Sequence, residues 1–416
     1  MKNMVCLISD QHMPNLLTVH AVKPDFLVLI ETDRMQKKNA AQNFLKALET
    51  GGLAFQVKNK HRIYHLLDEN SISAAKNIFQ SATSQYPDAQ WIVNITGGTK
   101  PMSIAAYDFF RSQRDAVIYY VPLNNRNALN FTDGSSIKLN YKVTAKEFLA
   151  GYGFSFTEES EIKEGAVSEQ WFNTSLYLVS NYNNQKVTNF LKNISRISRE
   201  NNRQGRKNGL DILASDGLKW EDRDLLGHIL TIFPTIKENG NLITGKLTAP
   251  EVCFLTGGWL EIFVWFLLSR HSDILGIWDV HLGYHIGTNG SNAMDEMNEL
   301  DISLMQDQTL CIVECKTGEQ KHDKEGNVLY KIEAVKRQFG AIKVKSCLAT
   351  TSDNMIDKKT NKMKKQLEMR AAIYQCNIVL GDQLQKIANE YLENPDSPEL
   401  GVLLAREFHL TPEVRS

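Results

Sequence analysis

Residues 91–110, WIVNITGGTKPMSIAAYDFF, join a strand-like run to a helical pattern through a turn that contains two glycines. The run WIVNIT is nearly all apolar, as in a strand that is covered on both faces. Gly97 and Gly98 allow a sharp turn and a close approach of the backbone to a ligand. Thr99 suits a helix N-cap, and Pro101 suits the first helical turn. The stretch therefore predicts a strand–turn–helix unit whose free amides favour phosphate or other polar groups above the sheet.

Three further apolar runs in the first 150 residues predict strands, and helical spacing separates them. The runs are MVCLIS (4–9), DFLVLIE (25–31) and AVIYYVP (116–122), and helical patterns occupy 37–49 and 103–110. Apolar strands that alternate with helices are typical of a parallel sheet covered by helices. Such a sheet binds its ligand at the carboxyl ends of the strands. The polar loops SDQHMPN, ETD and TGGTK are therefore the candidate contacts.

The segment ITGGTKPMSIAAY, with the polar loop after the first strand, resembles the CARF domain, the CRISPR-associated Rossmann fold. The resemblance covers roughly residues 1–145. It implies a homodimer that binds a cyclic oligoadenylate across its twofold axis, at the carboxyl ends of the strands. Carried over by position, it makes these residues candidate ligand contacts: Asp10, Gln11, Thr96, Gly97, Gly98, Thr99, Lys100 and Met102. A well-capped glycine turn without a ligand is the alternative.

A second group of polar residues lies in ELDISL (299–304) and LCIVECK (310–316). Strand alternation places Glu314 and Lys316 on one face of the second run. A strand this apolar does not end in a carboxylate and an ammonium on one face unless something uses them. A hairpin would bring Asp301 beside Glu314, and a hard divalent cation, Mg²⁺ or Mn²⁺, relieves the repulsion between two carboxylates.

The metal site predicted from this pattern consists of Asp301, Glu314 and the backbone carbonyl of Cys315. The cation would polarise a scissile phosphate and lower the pKa of a bound water. Lys316 would position that water or offset charge on the phosphate. Glu261, which interrupts the apolar helix WLEIFVWFLL, is a further catalytic candidate. A salt-bridged strand end and a solvent-facing helix position are the structural alternatives.

A helical Glu, an Asp on a strand and E-x-K on the next strand, in this order, resemble the PD-(D/E)xK restriction-endonuclease-like fold. Leu300 stands where a Pro often precedes the Asp in that family. There, the helix after the E-x-K strand often supplies polar residues to the site. This makes Arg337 and Gln338 candidates, with an exposed helix face as the alternative.

Composition narrows the class of protein. A chain of 416 residues is too long for one ordinary core, and 42% hydrophobic with 23% charged residues is typical of a soluble globular protein. The 47 Lys and Arg nearly balance the 48 Asp and Glu, so nucleic acid would need a local basic patch. The candidate patch, whose alternative is a solvated face, contains Lys343, Lys345, Lys358, Lys359, Lys362, Lys364, Lys365 and Arg370. No CxxC pair, basic leader or bilayer-length apolar run is found, so we expect a cytoplasmic protein away from membranes.

The predicted architecture is α/β in both halves. It comprises a Rossmann-like CARF domain with a parallel sheet at 1–150, a helical connector at 151–235, a restriction-endonuclease-like PD-(D/E)xK domain at 236–385 and a C-terminal tail at 386–416. Together the two resemblances imply a nuclease effector of type III CRISPR antiviral immunity. It would be a Mg²⁺- or Mn²⁺-dependent endonuclease of DNA or RNA, with single strands favoured. Its allosteric activator would be a cyclic oligoadenylate, with cyclic tetra-adenylate favoured over cyclic hexa-adenylate.

Two alternatives stay open. One is a cyclic-oligonucleotide sensor without nuclease activity that acts through residues 151–235. The other is a ring nuclease, in which the first domain degrades its own activator, although that domain shows no obvious general acid and base pair.

Overall fold

The computed structural model describes residues 1–57, 59–122, 126–201, 209–288, 296–317, 327–338, 344–357, 360 and 362–411. The chain divides into two compact units. The first is centred on Met1–Phe156, and the second holds Thr157–Ile286, Glu296–Arg337 and the described residues from 344 onward.

The first unit is a seven-stranded sheet with helices. Its strands are β1 (Lys2–Leu7), β2 (Phe26–Thr32), β3 (His61–Leu66), β4 (Gln90–Asn94), β5 (Val117–Tyr120), β6 (Asn127–Asn130) and β7 (Ser136–Lys138). Its helices are α1 (Met13–Val22), α2 (Asp33–Lys37), α3 (Ala40–Thr50), α4 (Ile72–Ser84), α5 (Lys100–Phe110) and α6 (Ala145–Gly151). The strand order is β3-β2-β1-β4-β5-β6-β7; β1 to β5 run parallel, and β6 and β7 are antiparallel.

The predicted parallel sheet is confirmed, and so is the cap of α5. The Thr99 hydroxyl accepts a hydrogen bond from Met102 N at 3.4 Å, with proline in the first turn. The sequence pattern did not predict β3, because HRIYHL mixes His and Arg with apolar residues and lies partly exposed at the edge of the sheet. It also missed α1, which buries polar side chains together with apolar ones and so lacks a clear helical stripe.

The remaining strands are β8 (Phe154–Glu159), β9 (Leu210–Ile212), β10 (Lys237–Asn239), β11 (Leu242–Leu247), β12 (Ile277–Thr288), β13 (Glu296–Gln306), β14 (Thr309–Lys316), β15 (Val344–Thr350), β16 (Ile356–Asp357), β17 (Lys362–Met363) and β18 (Cys376–Leu380). The remaining helices are α7 (Glu169–Ser180), α8 (Gln185–Asn201), α9 (Arg223–Ile232), α10 (Ala249–Cys253), α11 (Trp259–Arg270), α12 (Ser272–Leu275), α13 (Asn327–Gln338), α14 (Lys365–Ile373), α15 (Gly381–Glu393) and α16 (Pro398–Glu407). A six-stranded sheet has the order β18-β15-β14-β13-β12-β8, and a three-stranded sheet has the order β10-β11-β9. In the larger sheet β13 and β14 are antiparallel, whereas β14, β15 and β18 are parallel.

Helix α11 is the central helix of the second unit. It packs against α7, β13 and β14, and its buried side chains include Leu260, Phe263 and Leu267. The stretch Ala249–Arg270 is long and apolar enough to cross a membrane by length and composition. However, 61% of an apolar 18-residue window within it is buried inside the protein. This burial is typical of a core helix, so the stretch is weak evidence for a membrane span.

The last described residues are also packed. Helix α16 begins with the Ser397 cap, whose hydroxyl accepts a hydrogen bond from Leu400 N at 3.0 Å. Leu400, Leu404 and Phe408 join the core of the second unit. The domain boundaries at 150, 235 and 385 remain predictions.

Candidate functional site

The first candidate site lies at the end of the β13–β14 hairpin that is far from its turn. Ile302 on β13 stands opposite Val313 on β14. One residue further from the turn, β13 carries Asp301 and β14 carries Glu314. The predicted hairpin is confirmed, and it places the two carboxylates side by side.

Three of the predicted site residues contact one another here. Asp301 Oδ2 accepts a hydrogen bond from the backbone N–H of Cys315 at 2.7 Å and lies 3.5 Å from Lys316 Nζ. Lys316 Nζ also lies 2.8 Å from Glu314 Oε1. Asp301 is only 4% exposed and Glu314 only 7% exposed, so the lysine bridges two buried carboxylates.

Helix α13 adds a residue that the sequence pattern missed. Lys331 Nζ lies 3.1 Å from Glu314 Oε1, so Glu314 contacts two ammonium groups. The signal for it was present: Lys331 directly precedes Ile332, and Val328, Ile332 and Val335 form the buried stripe of this helix. A lysine at the border of a stripe that faces an E-x-K strand is well placed to reach the glutamate.

Arg337 and Gln338 are the two residues of α13 that were proposed from the sequence. Arg337 pairs with Glu333 at 3.0 Å on the outer surface of α13. The side chain of Gln338 lies outside the described residues. For Arg337 the structure therefore matches the alternative of an exposed helix face.

Burial and repulsion dominate the electrostatics of the hairpin site. Burial and, second, the negative charge of Glu314 raise the pKa of Asp301, and Lys316 and the Cys315 N–H oppose the rise; the net pKa is about 7. Burial also raises the pKa of Glu261 well above its usual value, with contributions from Asp301 and Glu299. Glu261, on α11, is thus close enough to sense the hairpin carboxylates.

The hairpin site contains more acidic residues than lysines. Burial disfavours the charge on Lys316, but Asp301 and Glu314 outweigh it, so the pKa of the ammonium rises. Lys331 is the second cation in contact with Glu314. Two lysines thus face four carboxyl groups, once Glu261 and Glu299 are included.

The chemistry of these residues fits a hard divalent cation. Asp301 and Glu314 supply buried oxygen donors whose repulsion a cation would relieve. The pKa of the Cys315 thiol is raised well above its usual value by burial and by neighbouring acids, so its carbonyl is the better ligand. Within the described residues, no group of three or more His, Cys, Asp and Glu side chains is arranged to hold a metal.

The predicted basic patch is only partly described. Lys343, Lys358 and Lys359 lie outside the described residues. Lys345 Nζ donates a hydrogen bond to Gln306 Oε1 at 2.8 Å, and the Arg370 guanidinium lies 5.5 Å from the centre of the Tyr330 ring. The side chains that are exposed are those of Lys362, Lys364 and Lys365.

The second candidate site lies at the carboxyl ends of β1 and β4, which are parallel neighbours. A Cβ atom at Gly97 would stand 2.1 Å from the carbonyl oxygen of Leu7. Asn15 Nδ2 donates a hydrogen bond to the same oxygen at 2.9 Å. The glycine turn therefore lies directly against the end of β1, which brings the two predicted ligand loops together.

The threonines of the glycine turn are already hydrogen-bonded. Thr96 Oγ1 donates to Asn94 Oδ1 at 2.6 Å and accepts from Val121 N at 2.8 Å. Thr99 Oγ1 donates to the carbonyl of Glu69 at 2.9 Å. These bonds hold the loop in shape.

The other predicted residues of this turn differ in exposure. Gly98 has a φ of +73°, a conformation that favours glycine. Met102 is 1% exposed and lies beneath Gly98, whereas Lys100 is exposed.

The first loop carries an exposed ion cluster. Asp10 contacts Arg34 Nη2 at 2.6 Å and Lys38 Nζ at 2.5 Å. Gln11 N donates a weak hydrogen bond to Ser9 Oγ at 3.3 Å. Arg34 and Lys38 were missed from the sequence, although the stretch ETDRMQKK after the second strand places basic residues at the same edge of the sheet.

The carboxyl edge also carries an acid–imidazole pair, Glu31 and His65. Glu31 Oε1 lies 3.1 Å from His65 Nδ1, on the neighbouring strands β2 and β3. Burial raises the pKa of Glu31, and the N–H of Ala41 and the charge of His65 oppose that rise. The sequence pattern did not predict this pair, because it did not predict β3, the strand that carries His65.

Two family models match the chain. One is described as the Card1 CARF domain and matches residues 4–148, and the other is described as the Card1-like endonuclease domain and matches residues 249–383. The chain combines a Card1-type CARF domain with a Card1-like endonuclease domain. Both resemblances inferred from the sequence are thereby confirmed, as is the α/β fold class.

Solved structures share the fold at low sequence identity. Can2 from Sulfobacillus thermosulfidooxidans, in complex with cyclic tetra-adenylate, is 23% identical, with 95% of this chain and 100% of that chain covered and a TM-score of 0.68. Protein VC1899 from Vibrio cholerae is 16% identical, with 94% and 97% covered and a TM-score of 0.72. A type III CRISPR defence DNA nuclease activated by cyclic oligoadenylate is 12% identical, with 89% and 51% covered and a TM-score of 0.53. No curated protein sequence matches the chain.

Proposed function

We propose that this protein is a metal-dependent nuclease of CRISPR antiviral defence that a cyclic oligoadenylate activates. One observation carries the proposal: Asp301, Glu314 and Lys316 form a buried, acid-rich cluster inside the stretch that matches the endonuclease family. The CARF match and the likeness to Can2, whose structure contains cyclic tetra-adenylate, support the choice of activator. Cyclic tetra-adenylate is favoured over cyclic hexa-adenylate for the same reason.

Each residue of the hairpin site has a proposed role. Asp301, Glu314 and the carbonyl of Cys315 would hold Mg²⁺ or Mn²⁺, and Glu261 would add a carboxyl group from α11 whose ionised form the cation would favour. When bound, the cation supplies Lewis-acid polarisation of the phosphate and lowers the pKa of a water. Lys316, held between the two carboxylates, orients that water and stabilises the negative charge that develops on the phosphate.

The activator is proposed to bind at the carboxyl edge of the first sheet. Its contacts are Asp10, Gln11 and the turn from Thr96 to Lys100, whose two glycines allow the backbone to approach the ligand closely. Met102, which is buried, supports Gly98 from beneath. The ligand binds across a homodimer, rotates the CARF pair and brings the nuclease domains into register. It can do so only if it binds the active arrangement more tightly than the resting one.

The substrate is proposed to be DNA, RNA or both, with single strands favoured, and one assay decides. Purified full-length protein with Mn²⁺ is given single-stranded DNA, single-stranded RNA and plasmid, with and without cyclic tetra-adenylate or cyclic hexa-adenylate. Glu314→Ala removes the proposed ligand. Glu161→Ala is the matched control, because Glu161-Ile162-Lys163 is a second E-x-K sequence whose glutamate is exposed.

The expected result is cleavage that needs the activator and Glu314 but not Glu161. Cleavage that survives Glu314→Ala would place the chemistry elsewhere. Activator binding without cleavage of any substrate would favour the sensor instead.

A second candidate activity is cleavage of the activator by the CARF domain, and the Glu31–His65 pair is the observation that favours it. The pair supplies the acid and base that a ring nuclease uses. In chelator, chromatography of cyclic tetra-adenylate after incubation would show linear products with the parent chain and none with His65→Asn. Intact ligand in both samples would remove this activity.

A further inference from the structure

A polar cleft of about 640 Å³ lies between α7 and α9 in the second unit. From α7 it is lined by Thr174 and Tyr177, and from α9 by Arg223, Gly227 and His228. None of these residues belongs to the hairpin site. The cleft is therefore a separate candidate binding site within the same unit.

Helix α9 presents one face to the cleft. Arg223, Gly227 and Thr231 recur every four residues along it, which places them on one side of a helix. The opposite side buries Leu226 and Ile229 in the core. The cleft face is thus the side of α9 that points away from the core.

Gly227 lies at the middle of this face and is exposed. A Cβ atom there would meet no other atom within 4 Å, and the residue does not have a positive φ. Glycine inside a helix is destabilising relative to alanine. Neither packing nor backbone geometry requires glycine here, and the space above it is open.

The cleft combines an aromatic surface with a hydrogen-bond acceptor. The rings of Tyr177 and His228 lie 4.7 Å apart at 36°. The Thr174 hydroxyl donates to the Gln170 carbonyl at 3.0 Å, so it accepts from His228 Nδ1 at 3.4 Å. Burial lowers the pKa of His228, against the charge of Asp224, which favours the neutral ring; with Nδ1 as the donor to Thr174, Nε2 is then the acceptor.

The charges of the cleft do not favour a phosphate. Arg223 is offset by Asp224, which also lines the cleft, and its Nη1 pairs with Glu238 at 2.9 Å. A flat neutral group with hydrogen-bonding edges suits such a lining better. Nucleic-acid bases have this chemistry, and they stack on aromatic side chains once they are unpaired.

We infer that the cleft between α7 and α9 binds one unpaired base of the nucleic-acid substrate, and so selects single strands. The inference rests on the proposed nuclease function. The location of the cleft is consistent with this role, because α7 also packs against α11, the helix that carries Glu261. The rings of Phe172 on α7 and Phe266 on α11 stack at 3.8 Å. The substrate strand would thus bind beside α7, which packs directly against the helix that borders the proposed cleavage site.

Photocrosslinking tests the inference on the full chain. Glu314→Gln protein, which should not cleave, is mixed with cyclic tetra-adenylate and with DNA or RNA single strands that carry 5-iodouracil, irradiated and mapped by mass spectrometry. Crosslinks are expected on Tyr177 or His228. Gly227→Leu, added to the Glu314→Gln protein, should place a large side chain in the cleft and weaken strand binding about tenfold or more. Gly165→Leu is the matched control, since a Cβ at Gly165 also meets nothing within 4 Å.

The remaining outcomes separate the two proposals. A strand that binds but crosslinks elsewhere, with affinity unchanged by Gly227→Leu, would overturn the cleft and leave the nuclease intact. A duplex that competes as well as a single strand would overturn the selection of unpaired bases. Failure to bind any nucleic acid would overturn both proposals. Gly227→Ala adds a folding check, because it should raise the Tm while it narrows the cleft.

Discussion

The two candidate sites hold their carboxylates in opposite ways. Asp10, at the edge of the first sheet, has a side chain that is 40% exposed and is neutralised by two exposed cations. Asp301, in the hairpin of the second unit, is buried beside Glu314, and its pKa rises to about 7. Exposed pairs in water contribute little and rearrange readily. Buried carboxylates that repel one another destabilise the fold when neighbouring cations offset them only in part, and the raised pKa of Asp301 shows that Lys316 does not offset them fully.

This difference matches the two proposed tasks. A sensor has to exchange its own ion pairs for contacts with a ligand, and exposed pairs make that exchange easy. A cleavage site benefits from charges that are fixed in place before the substrate arrives. Substitutions at each site test whether the two sites differ in this way.

The largest effect is expected from Asp301→Asn. The variant should lose nuclease activity by about 10²–10³-fold or more, because a proposed metal ligand is gone. In chelator its Tm should exceed that of the parent chain, since a buried and repelled carboxylate has become neutral while its oxygen still accepts from Cys315 N. Cleavage assays and thermal melts measure both. A lower Tm in chelator would show that the Asp301 carboxylate stabilises the fold and would contradict the proposed difference between the two sites.

Gly97→Ala should have the next largest effect. The added Cβ would stand 2.1 Å from the Leu7 carbonyl oxygen, so the turn must move off β1. We expect a loss of about 1–3 kcal/mol in the free energy of unfolding and loss of activator binding. Denaturant melts and calorimetry with cyclic tetra-adenylate test this. Gly165→Ala, at an open position, is the control and should change neither.

The third prediction concerns His12, a buried residue two positions after Asp10. The ring is buried and stacks on Phe44, and burial lowers its pKa to about 4. Because the unfolded chain binds the proton more readily, stability should fall as the pH drops from about 6.5 towards 4, by up to about 3 kcal/mol. The difference between the parent chain and His12→Phe, measured by denaturant melts across this range, isolates the effect. A difference that does not depend on pH would contradict it.

The smallest effect is expected from Asp10→Asn. Removing both exposed ion pairs should cost less than about 1 kcal/mol at low salt. In 1 M salt the difference should vanish, because screening removes what the pairs contribute. A larger or salt-independent cost would mean that the loop is held as rigidly as the hairpin.

How far the sequence predicted the sites depended on local patterning. The buried hairpin was predictable because alternation within ELDISL and LCIVECK fixes which side chains share a face, and a short turn joins the two runs. The glycine turn was predictable from its cap and its glycines. Lys331, Arg34 and His65 were not predicted, because each reaches its partner across elements that are distant in sequence.

Exposure was the other property that the sequence did not show. Met102 lies next to the predicted contacts along the chain, but α5 turns it into the core. Arg337 and Lys331 lie on the same helix, and only the packing of α13 decides which of them meets Glu314.

The most direct test of the central claim, that the buried carboxylates are arranged around a divalent cation, is a Mn²⁺ titration followed by electron paramagnetic resonance. The parent chain should bind one Mn²⁺ per chain at low concentration, and Asp301→Asn should lose that binding while it stays folded. Equal binding by both proteins, or none by the parent chain with activator and substrate strand present, would contradict the claim.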